Sequence, residues 1–503
     1  MSKHQFTDER IAIESDNPSI MRHEELCIKC GACKRVCEKE IAVGRLYDLE
    51  STGDKPICVH CGQCANACPT DSITETYEYE DVKKAIADPD KIVIFNTSPS
   101  VRVSIGEAFG MQGAFLQGKM VAALRTLGAN YVLDTNFGAD LTITEEASEL
   151  VTRVVNKSKP LPQFTSCCPA WVKFVETYFP HLTPHISSVK SPIGMQGPTV
   201  KTYFAKKTNI DPKRIVNVAV TPCTAKKFEI RREEMCDASK ELGIPGMRDM
   251  DHVITARELI KWIKEAGINF STLEESGYDN LMGEASGSGV IFGNTGGVME
   301  AAARSAYYYV TGKNPGEDFL QLTAVRGMEK VRSATVNIAG TPVRVAIVHG
   351  LGSAKKLLED ITAGKKDFDF LEVMSCRGGC IGGGGQPKTT IPMDDTVRKA
   401  RIDALYGKDR NMPLRFSHDN PEIIAVYKEH YEKPLSPAAE RMLHTTYHSR
   451  SSDLGPKGAV EKQIHEKAHR CKICKYVHAG EVPDGYTCVK CSAPKALFEL
   501  MAE

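Results

Sequence analysis

The sequence predicts an α/β protein. Its catalytic domain has two lobes with mostly parallel sheets flanked by helices, with a small α+β domain in front and a small metal-knuckle domain at the end. Three observations carry this. From Lys91 onward, short apolar runs alternate with helical stretches, the pattern of parallel strands covered by helices. Ahead of them lie two four-cysteine runs, and behind them two Cys-x-x-Cys pairs in a tail too short to bury a core of its own. The length, 503 residues, fits about three domains.

Composition narrows the function classes. The 64 basic residues balance 64 acidic ones, so no global field favours nucleic acid or an anionic membrane. No apolar run approaches the roughly 18 residues of a membrane span. The start, Met1-Ser2-Lys3-His4-Gln5, leads into polar residues and not into an apolar leader. Eighteen cysteines in that context predict metal ligation in a reducing cytoplasm, not disulfides. All but Cys236, read as an ordinary thiol, fall into clusters.

In chain order, residues 1–20 are a polar lead-in and residues 21–82 hold the paired four-cysteine runs. Residues 83–394 form the α/β domain. Strands are expected at Ile92–Phe95, Tyr131–Leu133, Val216–Val220, Gly289–Phe292 and Val345–Val348. Helices are expected at Gly118–Thr126, Thr144–Val155, Thr255–Ala266 and Val298–Ala306. Functional loops should leave the carboxyl ends of those strands. Residues 395–450 read as helical, with Val397–Tyr406 and Pro421–His430 as elements. Small, polar and breaker residues make 451–468 a linker to the terminal domain at 469–503.

The runs Cys27-x2-Cys30-x2-Cys33-x3-Cys37 and Cys58-x2-Cys61-x2-Cys64-x3-Cys68-Pro69 have the spacing that wraps a cubane, each run lending its fourth cysteine to the other cluster. One 4Fe–4S cluster then takes Cys27, Cys30, Cys33 and Cys68, and the second takes Cys58, Cys61, Cys64 and Cys37. Zinc ribbons use cysteine pairs separated by longer loops, which argues against zinc here. This part resembles bacterial two-cluster ferredoxins, although Glu38 follows Cys37 in place of the usual Pro. At the far end, Cys471-x2-Cys474 and Cys488-x2-Cys491 can present four sulfurs tetrahedrally to one iron or one zinc. Their flanks resemble rubredoxin, with Lys475 where such knuckles commonly carry Gly.

The remaining cysteines lie in three segments: Thr165-Ser166-Cys167-Cys168-Pro169-Ala170-Trp171, Thr221-Pro222-Cys223-Thr224-Ala225-Lys226-Lys227, and Met374-Ser375-Cys376-Arg377-Gly378-Gly379-Cys380 with its Gly-rich continuation to Pro387. In order and spacing these resemble the three signature segments of FeFe-hydrogenases, and the likeness extends over roughly residues 21–450. A phosphate-loop reading of the glycines lacks the Gly-Lys-Ser/Thr ending.

The resemblance implies an H-cluster, a 4Fe–4S cubane bridged to a two-iron subcluster that bears carbonyl, cyanide and azadithiolate. Cys168, Cys223, Cys376 and Cys380 would hold the cubane, with Cys380 as the bridge. Lys226, Ser98 and Ser100 correspond to cyanide contacts, and Pro192, Phe292 and Met374 to the dry wall around the distal iron. Proton relay residues would be Cys167, Glu146, Ser187, Glu149 and Arg153. Glu146, Glu149 and Arg153 share one helix face by spacing alone, which a plain salt-bridge ladder would also explain. Thr221, Ala170 and Ile193-Gly194 depart from the family pattern without removing a ligand.

The implied activity is H2 ⇌ 2H+ + 2e−. Its partners are ferredoxin or another small redox protein and the enzymes that mature the cofactor; a homo-oligomer is left open. The alternative is a hydrogen-sensing relative that binds the same cofactor without turnover, but the chain has no appended signalling domain and keeps its acidic residues.

Overall fold

The computed structural model describes residues 10–456, 469–474, 476–478, 482, 486–488 and 491–500. In front, β1 (Ile20–Arg22) pairs antiparallel with β2 (Ile73–Glu75), Ile20 opposite Glu75, and closes the ends of the cysteine-bearing segment. Two short helices, Ala32–Lys39 and Gln63–Ala67, pack together inside it.

The first lobe is a four-stranded parallel sheet in the order β4 (Tyr131–Asp134), β3 (Ile92–Thr97), β6 (Ile215–Thr221), β7 (His252–Thr255). Val93, Ile94, Phe95, Val218 and Val220 are fully buried, as expected for strands covered on both faces. The second lobe has the order β5 (Gln163–Phe164), β10 (Phe370–Met374), β9 (Thr341–His349), β8 (Val331–Ile338). Its β8–β9 pair is an antiparallel hairpin on an otherwise parallel sheet, and β8 is the edge strand. The expected strand at Gly289–Phe292 is instead part of the helix Gly287–Ile291. Ser286 caps that helix by accepting from the Gly289 N–H at 3.2 Å, a start signal that four apolar letters do not reveal.

Between the lobes runs the helix Thr135–Asn156, capped by Asp134 and buried on nearly every face. Gly138 lets it approach the helix Pro192–Thr199, because a Cβ there would sit 2.4 Å from the Pro192 carbonyl oxygen. The 395–450 segment is helical as expected and ties to both lobes through ion pairs Arg304–Asp409 (3.0 Å) and Arg401–Glu107 (2.6 Å).

The expected linker is partly packed. Arg450 pairs with Glu176 at 2.9 Å, Ser451 and Leu454 are buried, and Gly455 lies against the Ser51 carbonyl. Residues 457–468 and Lys475 lie outside the described residues. The terminal sheet has the order β12 (Val477–His478), β11 (His469–Cys471), β13 (Phe498–Leu500), and Tyr476 Oη donates to the Thr362 carbonyl at 3.0 Å.

Candidate active site

Four chain segments leave the carboxyl ends of parallel strands and converge between the lobes. β3 leads into Ser98-Pro99-Ser100, β5 into Cys167-Cys168, β6 into Cys223 and Lys226, and β10 into Ser375-Cys376 and then Cys380. Together with Pro192, Phe292 and Met374 they line one cavity. Every residue predicted for the cofactor chamber is therefore on its wall.

The chemistry of that wall fits a polynuclear iron centre. Burial, reinforced by the other thiolates, pushes Cys223 up to about 12 and holds Cys376 and Cys380 well above the ordinary thiol range. Four sulfurs gathered there become thiolates together only with cations among them. The Ser100 hydroxyl is buried without a hydrogen-bond partner among the described residues, and it borders the cavity. Gly379 (φ +91°) brings the third segment against backbone, where a Cβ would lie 2.6 Å from the Thr295 nitrogen. Lys226 Nζ lies 2.8 Å from Glu229 Oε2 and donates to the Cys167 carbonyl at 3.1 Å. Glu229 also accepts from Ser191 at 3.0 Å, so it braces both Lys226 and the turn before Pro192. It stands three residues after Lys226 on a short helix, a spacing visible in the sequence but left unused.

At the cavity edge, Cys167 borders a chain of buried acids. Glu146 is fully buried, and neither carboxylate oxygen makes a hydrogen bond among the described residues. Burial, with Glu149 and Glu372 nearby, raises its pKa to about 8. Glu149 accepts from Arg153 at 2.7 Å and from Ser187 Oγ at 2.5 Å. Burial opposes its charge, but Arg153 and Lys159 outweigh it and bring the pKa down to about 2. The outer half of the predicted relay is thus joined by hydrogen bonds, whereas Glu146 stands apart from both neighbours. Lys159, 2.8 Å from Glu149 and 44% exposed, was missed because it lies on the loop after the helix. Glu372 was missed as well; it accepts from the Gly296 and Met299 N–H groups and caps the helix Gly297–Thr311.

Two smaller cavities sort the front cysteines as the spacing required. Cys27, Cys30, Cys33 and Cys68 line one, and Cys37, Cys58, Cys61 and Cys64 line the other. The terminal quartet is tighter. All four sulfurs lie within 4.8 Å of one another, with Cys471–Cys491 at 3.6 Å and Cys474–Cys488 at 3.4 Å. Sulfurs about 2.3 Å from one tetrahedral ion would stand roughly 3.8 Å apart, so the quartet has the spacing to hold a single ion.

A chamber ringed by four thiols, with two further cavities each lined by four cysteines, marks an iron–sulfur oxidoreductase. The sequence matches the family "Iron only hydrogenase large subunit, C-terminal domain" over residues 91–384, "Iron hydrogenase small subunit" over 395–450 and "4Fe-4S binding domain" over 54–74. It is 41% identical to iron hydrogenase 1 of Clostridium pasteurianum, an alignment covering 88% of this chain and 77% of that one. It is 47% identical to the periplasmic Fe hydrogenase large subunit of Nitratidesulfovibrio vulgaris, over 72% of this chain and 85% of the relative. A more remote relative, cytosolic iron-sulfur assembly component 3 of Bos taurus, is 30% identical over 73% of this chain and 76% of its own. Among solved structures, an apo FeFe-hydrogenase variant from Chlamydomonas reinhardtii superposes with a TM-score of 0.64 at 41% identity, over 73% of this chain and 98% of that one.

The chain belongs to the iron-only, or FeFe-, hydrogenase family. It is an oxidoreductase acting on dihydrogen, its cofactors are the H-cluster and 4Fe–4S clusters, and its terminal cysteines can bind a further metal.

Proposed function

We propose that the protein interconverts dihydrogen with protons and electrons at an H-cluster held by Cys168, Cys223, Cys376 and Cys380, with separate routes for the two products. The convergence of those four thiols with Lys226 on one cavity supports this reading above any other observation. When bound, the cofactor supplies the cleavage and formation of dihydrogen. The chain's residues do the rest. Pro192, Phe292 and Met374 exclude water from the open side of the chamber. Lys226, Ser98 and Ser100 offer donors for the cyanide ligands.

Cys167 passes a proton to Glu146, whose raised pKa lets it hold that proton near neutral pH. Ser187 and Glu149 carry it outward to solvent, while Arg153 and the half-exposed Lys159 hold the Glu149 carboxylate in place.

Cys37, Cys58, Cys61 and Cys64 would hold one cubane and Cys27, Cys30, Cys33 and Cys68 another; these would supply electron transfer between the chamber and the surface at the exposed Cys30, where a small redox protein such as ferredoxin would dock. The terminal metal, if iron, adds one more port. Maturation enzymes deliver the two-iron subcluster. No helix among the described residues is long and apolar enough to cross a membrane, and cysteines grouped for metal ligation and not for disulfides suit the cytoplasm as the compartment.

Infrared spectroscopy of the matured protein tests the reading. Carbonyl and cyanide stretches that respond to dihydrogen, together with turnover, are expected. Bands without turnover would favour the sensing alternative, and a matured protein with neither would overturn both.

A further inference from the structure

One side chain spans the gap between the inner ferredoxin-like cavity and the chamber. Gln63 sits between Cys61 and Cys64 in sequence, yet its amide Nε2 reaches the other domain, donating to Cys376 Sγ at 3.2 Å and to the Gly382 carbonyl at 2.9 Å. The carbonyl fixes which way the amide faces, because only the NH2 end can serve both acceptors.

The backbones around it are in close contact. A Cβ on Gly384 would lie 2.1 Å from the Cys61 carbonyl oxygen. Thr224, beside Cys223, donates to the His60 carbonyl at 2.7 Å, beside Cys61. Asn66 adds a contact to the Gly383 carbonyl at 2.9 Å that does not touch sulfur.

We propose that Gln63 is a positioning residue that sets the reduction potential of the chamber's cubane through its hydrogen bond to Cys376 Sγ. The inference rests on the reading that Cys376 holds that cubane. Reduction adds negative charge that is shared with the ligand sulfurs, and an N–H donor stabilises the more negative state. The bond therefore raises the potential of the cubane and favours arrival of an electron from the neighbouring cluster. A carboxamide does this without bringing a charge or a proton that would titrate.

The test is a redox titration of the matured holoenzyme followed by infrared spectroscopy, in which the carbonyl and cyanide stretches move when the adjacent cubane changes charge. Gln63→Leu is expected to shift the one-electron reduction equilibrium about tenfold against reduction, about 59 mV downward. Gln63→Glu, which keeps the shape but cannot donate, should move it at least as far. Asn66→Ala loosens the same seam without touching sulfur and should leave the potential in place. An unchanged or raised potential in Gln63→Leu, or an equal fall in Asn66→Ala, would overturn the role. A parent protein without those bands would instead remove the cofactor reading, and this inference with it.

Discussion

Glu146 and Glu149 lie one helical turn apart, yet their environments drive them in opposite directions. Glu146 has no cation in contact, so burial raises it to about 8; Glu149 faces Arg153 and Lys159 and falls to about 2. The signs for stability follow. Between about pH 4.5 and 8 the folded state holds a proton on Glu146 that the unfolded chain has lost, so this group makes the fold less stable as pH rises. Glu149 does the reverse, adding stability above its unfolded value that is lost as pH falls from about 4.5 towards 2. Glu146→Gln should therefore melt increasingly above the parent as pH is raised from 5 to 8, read from paired thermal scans. The same variant should lose about 100-fold or more in turnover while keeping its cofactor infrared bands. Undiminished turnover would remove Glu146 from the proton path. Glu149→Gln leaves the buried Arg153 cation without its counter-charge and should cost about 3–5 kcal/mol in denaturant unfolding.

The helix Thr135–Asn156 shows what an element contributes beyond its residues. It supplies Glu146, Glu149 and Arg153 on one side and packs against the helix Pro192–Thr199 through Gly138. Gly138→Ala would press on the Pro192 carbonyl. It should cost about 1–3 kcal/mol and reduce turnover by displacing Pro192 from the chamber wall, while the iron content stays that of the parent. Much of this element was legible beforehand. The acid spacing and the span Thr144–Val155 stand in the sequence, but its start at Thr135 did not, because Asp134 both ends β4 and caps the helix. The mistaken strand at Gly289–Phe292 has a similar cause: a short apolar run has no period to read, and the Ser286 cap settled it. Among the described residues the unforeseen edge strand β8 pairs only with β9, so its position depends on tertiary contacts. Lys159 and Gln63 were invisible for another reason. Each acts on a residue far along the chain or on another element, and no local spacing points there.

At the scale of the whole molecule, the three cysteine-bearing units are not strung in a line. The front domain meets the start of the helix Leu351–Thr362, where Gly352 faces Ala42. The terminal domain touches its other end through Tyr476. Twelve residues of helix span about 18 Å, so the Tyr476 contact of the terminal domain is set well apart from that of the front domain. Cys474→Ser should release one equivalent of iron or zinc, measured by metal analysis, and leave dye-coupled dihydrogen oxidation within about twofold of the parent. A collapse of that activity would place the terminal metal on the internal electron route.

The front domain is built differently, because Cys68 closes the outer cavity and Cys37 the inner one. Each cavity thus takes one cysteine from the other's loop, so clusters held as proposed above would be interlocked like links of a chain. With the clusters held in that way, corrosion beginning at the exposed Cys30 would slacken the link behind it, and air at the surface would imperil the supply of charge to the buried centre.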